Sequence, residues 1–379
     1  MNDAAAVVEA GAVLRDAYLA ESDPATGFRQ ARATVEEAMR AHPRVVSETF
    51  YRFTGRCVRM RIVGERLAER VTAPFAHLRV GEQPPAEVEL SIDLWSECET
   101  GVPCPVRRQL GDVKATWEVA HGSLTVAPGG RFLRFARLHS RSWFDRTTGQ
   151  IVGWRACGTV LPTAERAKPM LPLLSIWCSD RDVHLAHAGL VALHGQGVLI
   201  AGPSGAGKST TTLACLLAGF DYLGDDYTGL EELGDGSFVG HAVYSTARLQ
   251  PHQVARLPLL AEAAIESEDP YDQKYLLPVF QVSPQLLRRA VAIRAIALPR
   301  VVGSPEPRLR PASKGQAFLR LAPSSLAMLL SPGTRGLDRL ARLVERVPSY
   351  WLDLGDDVAP IPSLVEQIVT GARASGAAG

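Results

Sequence analysis

Residues Gly202-Pro203-Ser204-Gly205-Ala206-Gly207-Lys208-Ser209 satisfy GxxxxGK[ST] at every required position, directly after the apolar run Val198-Leu199-Ile200-Ala201 and before a helical stretch from Thr210 to Ala218. No other feature of the chain restricts its fold as much. A buried strand, a glycine-rich turn and a helix in that order form half of a βαβ unit, which puts this part of the chain in the α/β class. The glycines let backbone N–H groups converge on phosphate oxygens, and the helix start adds its partial positive charge at the same point. Lys208 is aimed at the outer phosphates and the Ser209 hydroxyl at a divalent cation. Gly202, Pro203, Ser204, Gly205, Ala206, Gly207, Lys208, Ser209 and Thr210 are therefore the candidate nucleotide contacts, with Ser209 also a candidate metal ligand.

The segment beyond the loop is more selective than the loop itself. After the helix, about ten residues and roughly 15 Å long, the chain turns at Gly219 and makes a short strand, Phe220 to Leu223, that ends in Gly224-Asp225-Asp226. A crossover of this kind places its second strand parallel to the first, so both strand ends lie on one edge of the sheet and the paired carboxylates stand beside the loop. One of them can hold Mg2+ while the other accepts a proton from an attacking hydroxyl. The second pair, Asp356 and Asp357, is far from the loop in sequence and reads as a turn or cap.

Upstream, Leu190 to Leu193 and Val198 to Ala201 flank His194-Gly195-Gln196-Gly197, a tight hairpin signal. Reflection about Gln196 pairs His187 with Gly205, which sets His187 next to the loop, where it can contact a transferred phosphoryl group or tune Asp225. His184 and His194 read as structural. Arg248, in Tyr244-Ser245-Thr246-Ala247-Arg248-Leu249, and Lys274, in Asp272-Gln273-Lys274-Tyr275, are candidate clamps for phosphate or acceptor, with ordinary surface pairing as the alternative for each.

At 379 residues the chain has room for two or three domains. Residues 1–45 read as short helices broken at Ser22-Asp23-Pro24. Residues 46–165 read as a β-rich domain, with strands such as Cys57 to Val63 and Val88 to Leu94, turns at Pro84-Pro85, Pro128-Gly129-Gly130 and Thr148-Gly149, and core tryptophans Trp95, Trp117, Trp143 and Trp154. A linker with Pro162, Pro169 and Pro172 leads into the loop-bearing domain, residues 166–370, which ends as helix, strand, helix; a small-residue tail, 371–379, reads as disordered. A net charge of +1 excludes nucleic-acid binding through bulk positive charge, and 46% hydrophobic with 21% charged residues excludes disorder as the main state. No run of about 18 apolar residues occurs, and the start of the chain lacks a signal-peptide profile, so the expectation is a soluble cytoplasmic protein with no membrane partner. The six cysteines are scattered and suggest free buried thiols, with neither a zinc pair nor a disulfide framework.

In order and spacing, His187-Ala188-Gly189, the loop Gly202 to Ser209 and Gly224-Asp225-Asp226 resemble the catalytic domain of HPr kinase/phosphorylase, the bacterial serine kinase related to PEP carboxykinases. The resemblance, over about residues 184 to 300, implies a P-loop nucleotide-binding domain of the HPr kinase/PEP carboxykinase type, here preceded by the β-rich α+β N-terminal domain. It also implies an ATP- and Mg2+-dependent kinase acting on a serine hydroxyl. Asp225 matches the proton-accepting acid, Asp226 the metal-side carboxylate and His187 the assisting histidine. That family's Arg-Gly-Leu-Gly run and glycine-flanked basic loop are not found here, so HPr is not the expected acceptor.

The chain looks more like the wider HPr-kinase-related set, including kinases that tailor ribosomally made peptides, down to its segment Tyr244 to Leu249. The expected partner is a peptide or protein acceptor, with the N-terminal domain a candidate recognition module and a homo-oligomer implied by the resemblance. A small-molecule kinase acting on a sugar or amino acid, and a nucleotide-binding regulatory protein without transfer, are the alternatives. Carboxykinase chemistry lacks its own metal and substrate motifs.

Overall fold

Asp23 and Pro24 start the second of the two helices expected at the N-terminus. The Asp23 carboxylate accepts a hydrogen bond from the Thr26 amide, and Pro24 opens α1, Pro24–Ala41, where its missing N–H would have had no intrahelical partner. The structure, a computed structural model, describes residues 23–81, 87–106, 122–137, 139–267, 272–302, 307–328, 334–355 and 357–376. The first N-terminal helix, Trp117, Pro84-Pro85 and Asp356 lie outside the described residues.

The chain divides into two compact units, Met1–Arg52 with Arg56–Thr72 and Arg79–Leu161, and Phe53–Gly55 with Ala73–Leu78 and Pro162–Gly379. The first is built on a seven-stranded sheet of β1 (Val46–Phe53), β2 (Arg56–Val63), β3 (Leu90–Ser96), β4 (Ser123–Val126), β5 (Phe132–Arg137), β6 (Ser140–Asp145) and β7 (Gln150–Arg155), in the order β1-β2-β3-β7-β6-β5-β4. Helix α2, Glu65–Thr72, lies on the connection between β2 and its parallel neighbour β3; β3 and β7 are also parallel, and β7 to β4 form an antiparallel meander. Phe28, Ala31, Val35 and Ala38 recur at helical spacing on α1 and pack with Val63, Trp95, Trp143, Val152 and Trp154 into one core. Gly27 lies so close to Trp143 that a Cβ there would come within 2.5 Å of the indole nitrogen.

Two buried carboxylates in this unit are fully engaged. Asp93 accepts two bonds from Arg61, at 2.7 and 3.0 Å, and one from the Gln150 amide at 2.9 Å. Asp145 accepts from Arg131 at 2.9 and 2.7 Å and from the Thr147 amide at 3.0 Å.

Cys98 and Cys157 are joined by a disulfide, so the expectation of free thiols holds for Cys57, Cys104, Cys178 and Cys215 but not for this pair. The two lie 59 residues apart, which hid them, but Trp95 pairs with Trp154 and Ser96 with Arg155 on β3 and β7, and those parallel strands deliver both cysteines to one end of the sheet. Among the described residues no helix is long and apolar enough to cross a membrane.

The second unit is a mixed α/β body. It begins with α3 (Thr163–Ala167) and α4 (Leu171–Ser179), and its main sheet contains β8 (Val183–Ala186), β9 (Ala188–Leu193), β10 (Gln196–Ala201), β11 (Asp221–Gly224), β12 (Thr228–Glu232), β13 (Phe238–Ala242), β16 (Ala290–Val301), β17 (Arg308–Ala312) and β18 (Ser349–Leu354). Strand order is β11-β9-β10-β16-β13-β12-β8, with β18 also alongside β16 and β17 beyond it. β14 (Thr246–Leu249) and β15 (Tyr275–Pro278) form a separate antiparallel pair.

Helix α5, Lys208–Leu217, packs on β9, β10 and β11; α6 is Pro251–Arg256, α7 Lys314–Met328 and α8 Thr334–Arg346. The last helix, α9, Ile361–Gly376, joins α5 over β10, β16 and β18, where Val198, Ile200, Cys215, Ala297, Leu352, Val365 and Ile368 close the core. It runs through Gly376, into the segment expected to be a disordered tail from residue 371. Asp357 accepts from the Ala359 amide at 2.9 Å in the turn before α9.

Candidate functional site

The hairpin that precedes the glycine-rich loop turns on two residues, His194 and Gly195, both at positive φ (52° and 73°), as a tight two-residue turn requires. Its register pairs Gln196 with Leu193 and Ala201 with Ala188, so the next position along sets His187 level with Gly202. The expected partner, Gly205, is three residues off because the turn centre falls between His194 and Gly195 rather than on Gln196.

His187 sits at the bend between β8 and β9. Its amide donates to the Ser325 hydroxyl at 3.0 Å, which in turn donates to the Leu321 carbonyl on α7 at 2.8 Å. His184, one strand earlier, is packed against Gly336 of α8, where a Cβ would meet its ring at 2.7 Å.

Past β10 the loop crosses Gly205 (φ 80°) and Gly207 (φ 103°) and enters α5 at Lys208. Gly207 is required twice over: its φ is left-handed, and a Cβ would collide with Leu354 Cδ1. Gly205 faces open space, and Pro203, Ser204 and Gly205 are exposed. Gly207 offers no side chain to cap the helix, which leaves the first amides of α5 directed at the loop's open side. The Lys208 ammonium folds over the loop and donates to the carbonyls of Gly202 (2.9 Å) and Pro203 (3.2 Å). The Thr210 hydroxyl accepts from the Gln253 amide of α6 at 3.3 Å.

β11 pairs antiparallel with β9, and β9 antiparallel with β10, so β11 runs parallel to β10 with one strand between them. This carries Asp225 and Asp226 to the loop's edge of the sheet, as the crossover argument requires. Asp225 is buried and accepts from the Tyr222 hydroxyl at 3.3 Å. Burial first, and then the Asp225 charge, raise the Tyr222 pKa well above its ordinary value, so that phenol stays a donor.

Asp226 is the more accessible carboxylate and is gripped from two sides, by His187 Nε2 on Oδ1 at 2.5 Å and by the Lys168 ammonium on Oδ2. The histidine's carboxylate partner is thus Asp226 and not Asp225. The His187 ring lies 5.4 Å from the Tyr227 ring, and the Lys168 ammonium lies 5.2 Å from the centroid of that same ring.

Four cations crowd this edge. Burial lowers Lys208 to about 8, with Asp225 holding it up and Lys274 pushing it further down. Burial lowers Lys168 to about 7 against the pull of Asp225, and Arg248, Lys274 and Lys208 add to the fall. Lys274 is lowered by burial and then by Arg248, with Asp272 and Asp225 opposing. His187 falls to about 3 through burial and the three lysines Lys208, Lys168 and Lys274, so it is a neutral imidazole that donates to Asp226. Arg248 is paired with Asp272 at 2.5 Å, and Asp272 also accepts from the Lys274 amide at 3.3 Å. The structure therefore brings His187, Lys208, Asp225 and Asp226 together, with Lys274 and Arg248 within electrostatic reach.

Lys168, Tyr222 and Tyr227 are absent from the sequence-derived set. Lys168 lies in a proline-bearing connection with no motif around it. One compositional signal does single it out: the chain has 5 lysines against 36 arginines, together its 41 basic residues, and Lys168, Lys208 and Lys274 are three of those five.

No family model and no curated protein matches the chain. Among solved structures it is similar to the Hpr(Ser) kinase/phosphatase from Coxiella burnetii, at 15% identity over 51% of this chain and 97% of that one, with a TM-score of 0.28. A likeness of that size carries no inference about fold or activity, which rest on the residues described above.

Proposed function

We propose that the second unit is a phosphotransferase with a P-loop fold of the HPr kinase/PEP carboxykinase type. It would bind ATP with Mg2+ at Gly202 to Ser209 and pass the terminal phosphoryl group to a hydroxyl, a serine of a peptide or protein. The observation that carries this reading is the meeting, at one sheet edge, of a buried lysine on a glycine-rich helix entrance with two adjacent carboxylates and a neutral histidine. The donor set suits a nucleotide: uncapped helix amides, an exposed loop whose glycines keep side chains out of its path, and a surplus of cation over the local carboxylates. It suits Mg2+ as well, because Ser209 and Asp226 offer only oxygen, the donor that ion takes alongside substrate phosphates. Bound there, Mg2+ would neutralise charge on the phosphate oxygens.

In this reading the amides of residues 203 to 209 and Lys208 hold the phosphates in line with the acceptor, which is the larger part of what such a site must do. Asp225, oriented by Tyr222, accepts the acceptor's proton. His187 keeps Asp226 turned toward the loop, and Lys274 and Arg248 stabilise charge at the rim. Purified protein incubated with γ-labelled ATP, Mg2+ and serine-bearing peptides is expected to place label on a hydroxyl. Asp225→Asn is expected to lower that rate by about a thousandfold while ATP affinity stays within threefold. A full-rate Asn variant would show that the base is elsewhere, and a protein that binds no ATP would remove the whole reading.

A further inference from the structure

We propose that Lys168 is a further catalytic residue of this transfer: its ammonium, resting on Asp226 in the free protein, takes the non-bridging oxygens of the phosphoryl group as that group passes to the acceptor. The inference rests on the kinase reading above. In the transfer, the acceptor oxygen forms its bond to phosphorus while the bridging oxygen leaves with its electron pair on the nucleoside diphosphate, and the acceptor's proton goes to Asp225. Through that exchange the three non-bridging oxygens carry the charge, and a compact ammonium at their side stabilises it.

Three observations place Lys168 in this role. Its backbone is held on both sides: the Ala167 carbonyl accepts from the Thr246 hydroxyl at 2.5 Å and the Pro169 carbonyl from the Tyr244 hydroxyl at 3.0 Å, while its own amide closes α3 on Ala164. A lysine that served only to solvate the surface would need no such mounting, and this side chain is just 9% exposed. Second, Lys168 stands on the more accessible of the two carboxylates, the one at the loop's edge of the sheet, while Lys208 rests on the carbonyls of its own loop and Arg248 on Asp272. Third, in a chain that uses arginine for 36 of its 41 basic residues, the residue at this position is lysine, whose single point charge can move between a carboxylate and a phosphoryl oxygen without breaking a bidentate fork.

The test compares ADP with the Mg2+·ADP·aluminium fluoride complex, a mimic of the phosphoryl group in transfer, on wild-type protein and Lys168→Met. The variant is expected to bind ADP within threefold of wild type, which also shows that it folds. It is expected to bind the aluminium fluoride complex about a hundredfold more weakly and to lose turnover by a similar factor with little change in KM for ATP. Lys168→Met is then made in the Asp226→Asn background. If Lys168 touches the phosphoryl group, the double variant still loses at least tenfold in aluminium fluoride affinity relative to Asp226→Asn alone. No further loss would mean that Lys168 serves only to neutralise Asp226 and would overturn the proposal while leaving the kinase intact. Wild-type protein that binds neither complex would instead remove the kinase reading itself.

Discussion

The two units bury charge in opposite ways. In the first, Asp93 and Asp145 each meet a matched guanidinium and a second donor: Arg61 and Gln150 on Asp93, Arg131 and the Thr147 amide on Asp145. Burial alone would raise the Asp145 carboxyl, but the hydrogen bonds from Arg131, the Thr147 amide and Thr148, with the Arg131 charge, together outweigh it and the pKa falls. Arg61, hydrogen-bonded to Asp93, is held above its ordinary value. Arg61 and Asp145 are thereby held in their charged forms, as expected of structural ion pairs.

In the second unit, burial drives Lys168, Lys208 and Lys274 toward neutrality and lowers His187, with neighbouring cations adding to the fall, and Lys168 stands at about 7 and Lys208 at about 8. Asp225 opposes the fall of all three lysines but does not cancel it, and ionisable groups perturbed in this way cluster at functional sites. The contrast teaches that the number of buried charges says little; what separates scaffold from site is whether the local charges already satisfy each other.

The sharpest break of this comparison is Lys208→Met, which removes the central cation of the crowded edge. ATP affinity, measured by calorimetry, is expected to fall about a hundredfold, or about 2.7 kcal/mol, while the melting temperature holds or rises because mutual repulsion is relieved. A variant that binds ATP normally would show that the crowding does not serve nucleotide.

Arg61→Met breaks the closed pattern instead. It strands Asp93, which is 1% exposed, with only Gln150 for a partner, and should destabilise the first unit by about 2 kcal/mol in denaturant titration. ATP affinity below the transition is expected to be unchanged, since none of the site residues comes from that sheet.

A smaller effect comes from His184, which burial, and secondarily Arg339, lowers from 6.5 to about 4. The unfolded ring binds a proton below pH 6.5 and the folded ring does not until about pH 4, so this histidine's contribution is whole above 6.5 and is lost as pH falls through that window. Between pH 7 and 6 the loss is about 0.7 kcal/mol; His184→Gln is expected to flatten that part of the stability profile.

Much of this architecture was legible in the chain, for reasons of range. The strand and helix around Gly202 to Ser209 follow from residues within a few positions of one another: an apolar run, glycines where the turn needs positive φ, and the apolar Leu213, Leu216 and Leu217 beyond Lys208. The arrival of Asp225 and Asp226 beside the loop follows from the length of one helix and the parallel sense of one crossover. The tight hairpin is readable from His194-Gly195, but its register is not, because one misplaced turn centre moves every pair along both strands. The Asp23 cap is readable because an Asp just before a Pro at the first helical position is a local helix-start signal.

The sequence by itself thus determined the local arrangement: which glycine-rich loop opens the helix, which lysine leads it, and which carboxylates stand at the neighbouring strand end. The tertiary structure alone decided the partners. It set Lys168 on Asp226 across 58 residues, turned His187 to Asp226 rather than Asp225, and joined Cys98 to Cys157 across 59. Those meetings depend on strand order and on burial. A sheet brings together residues that no short window contains, and low-dielectric packing then sets how strongly they act on one another.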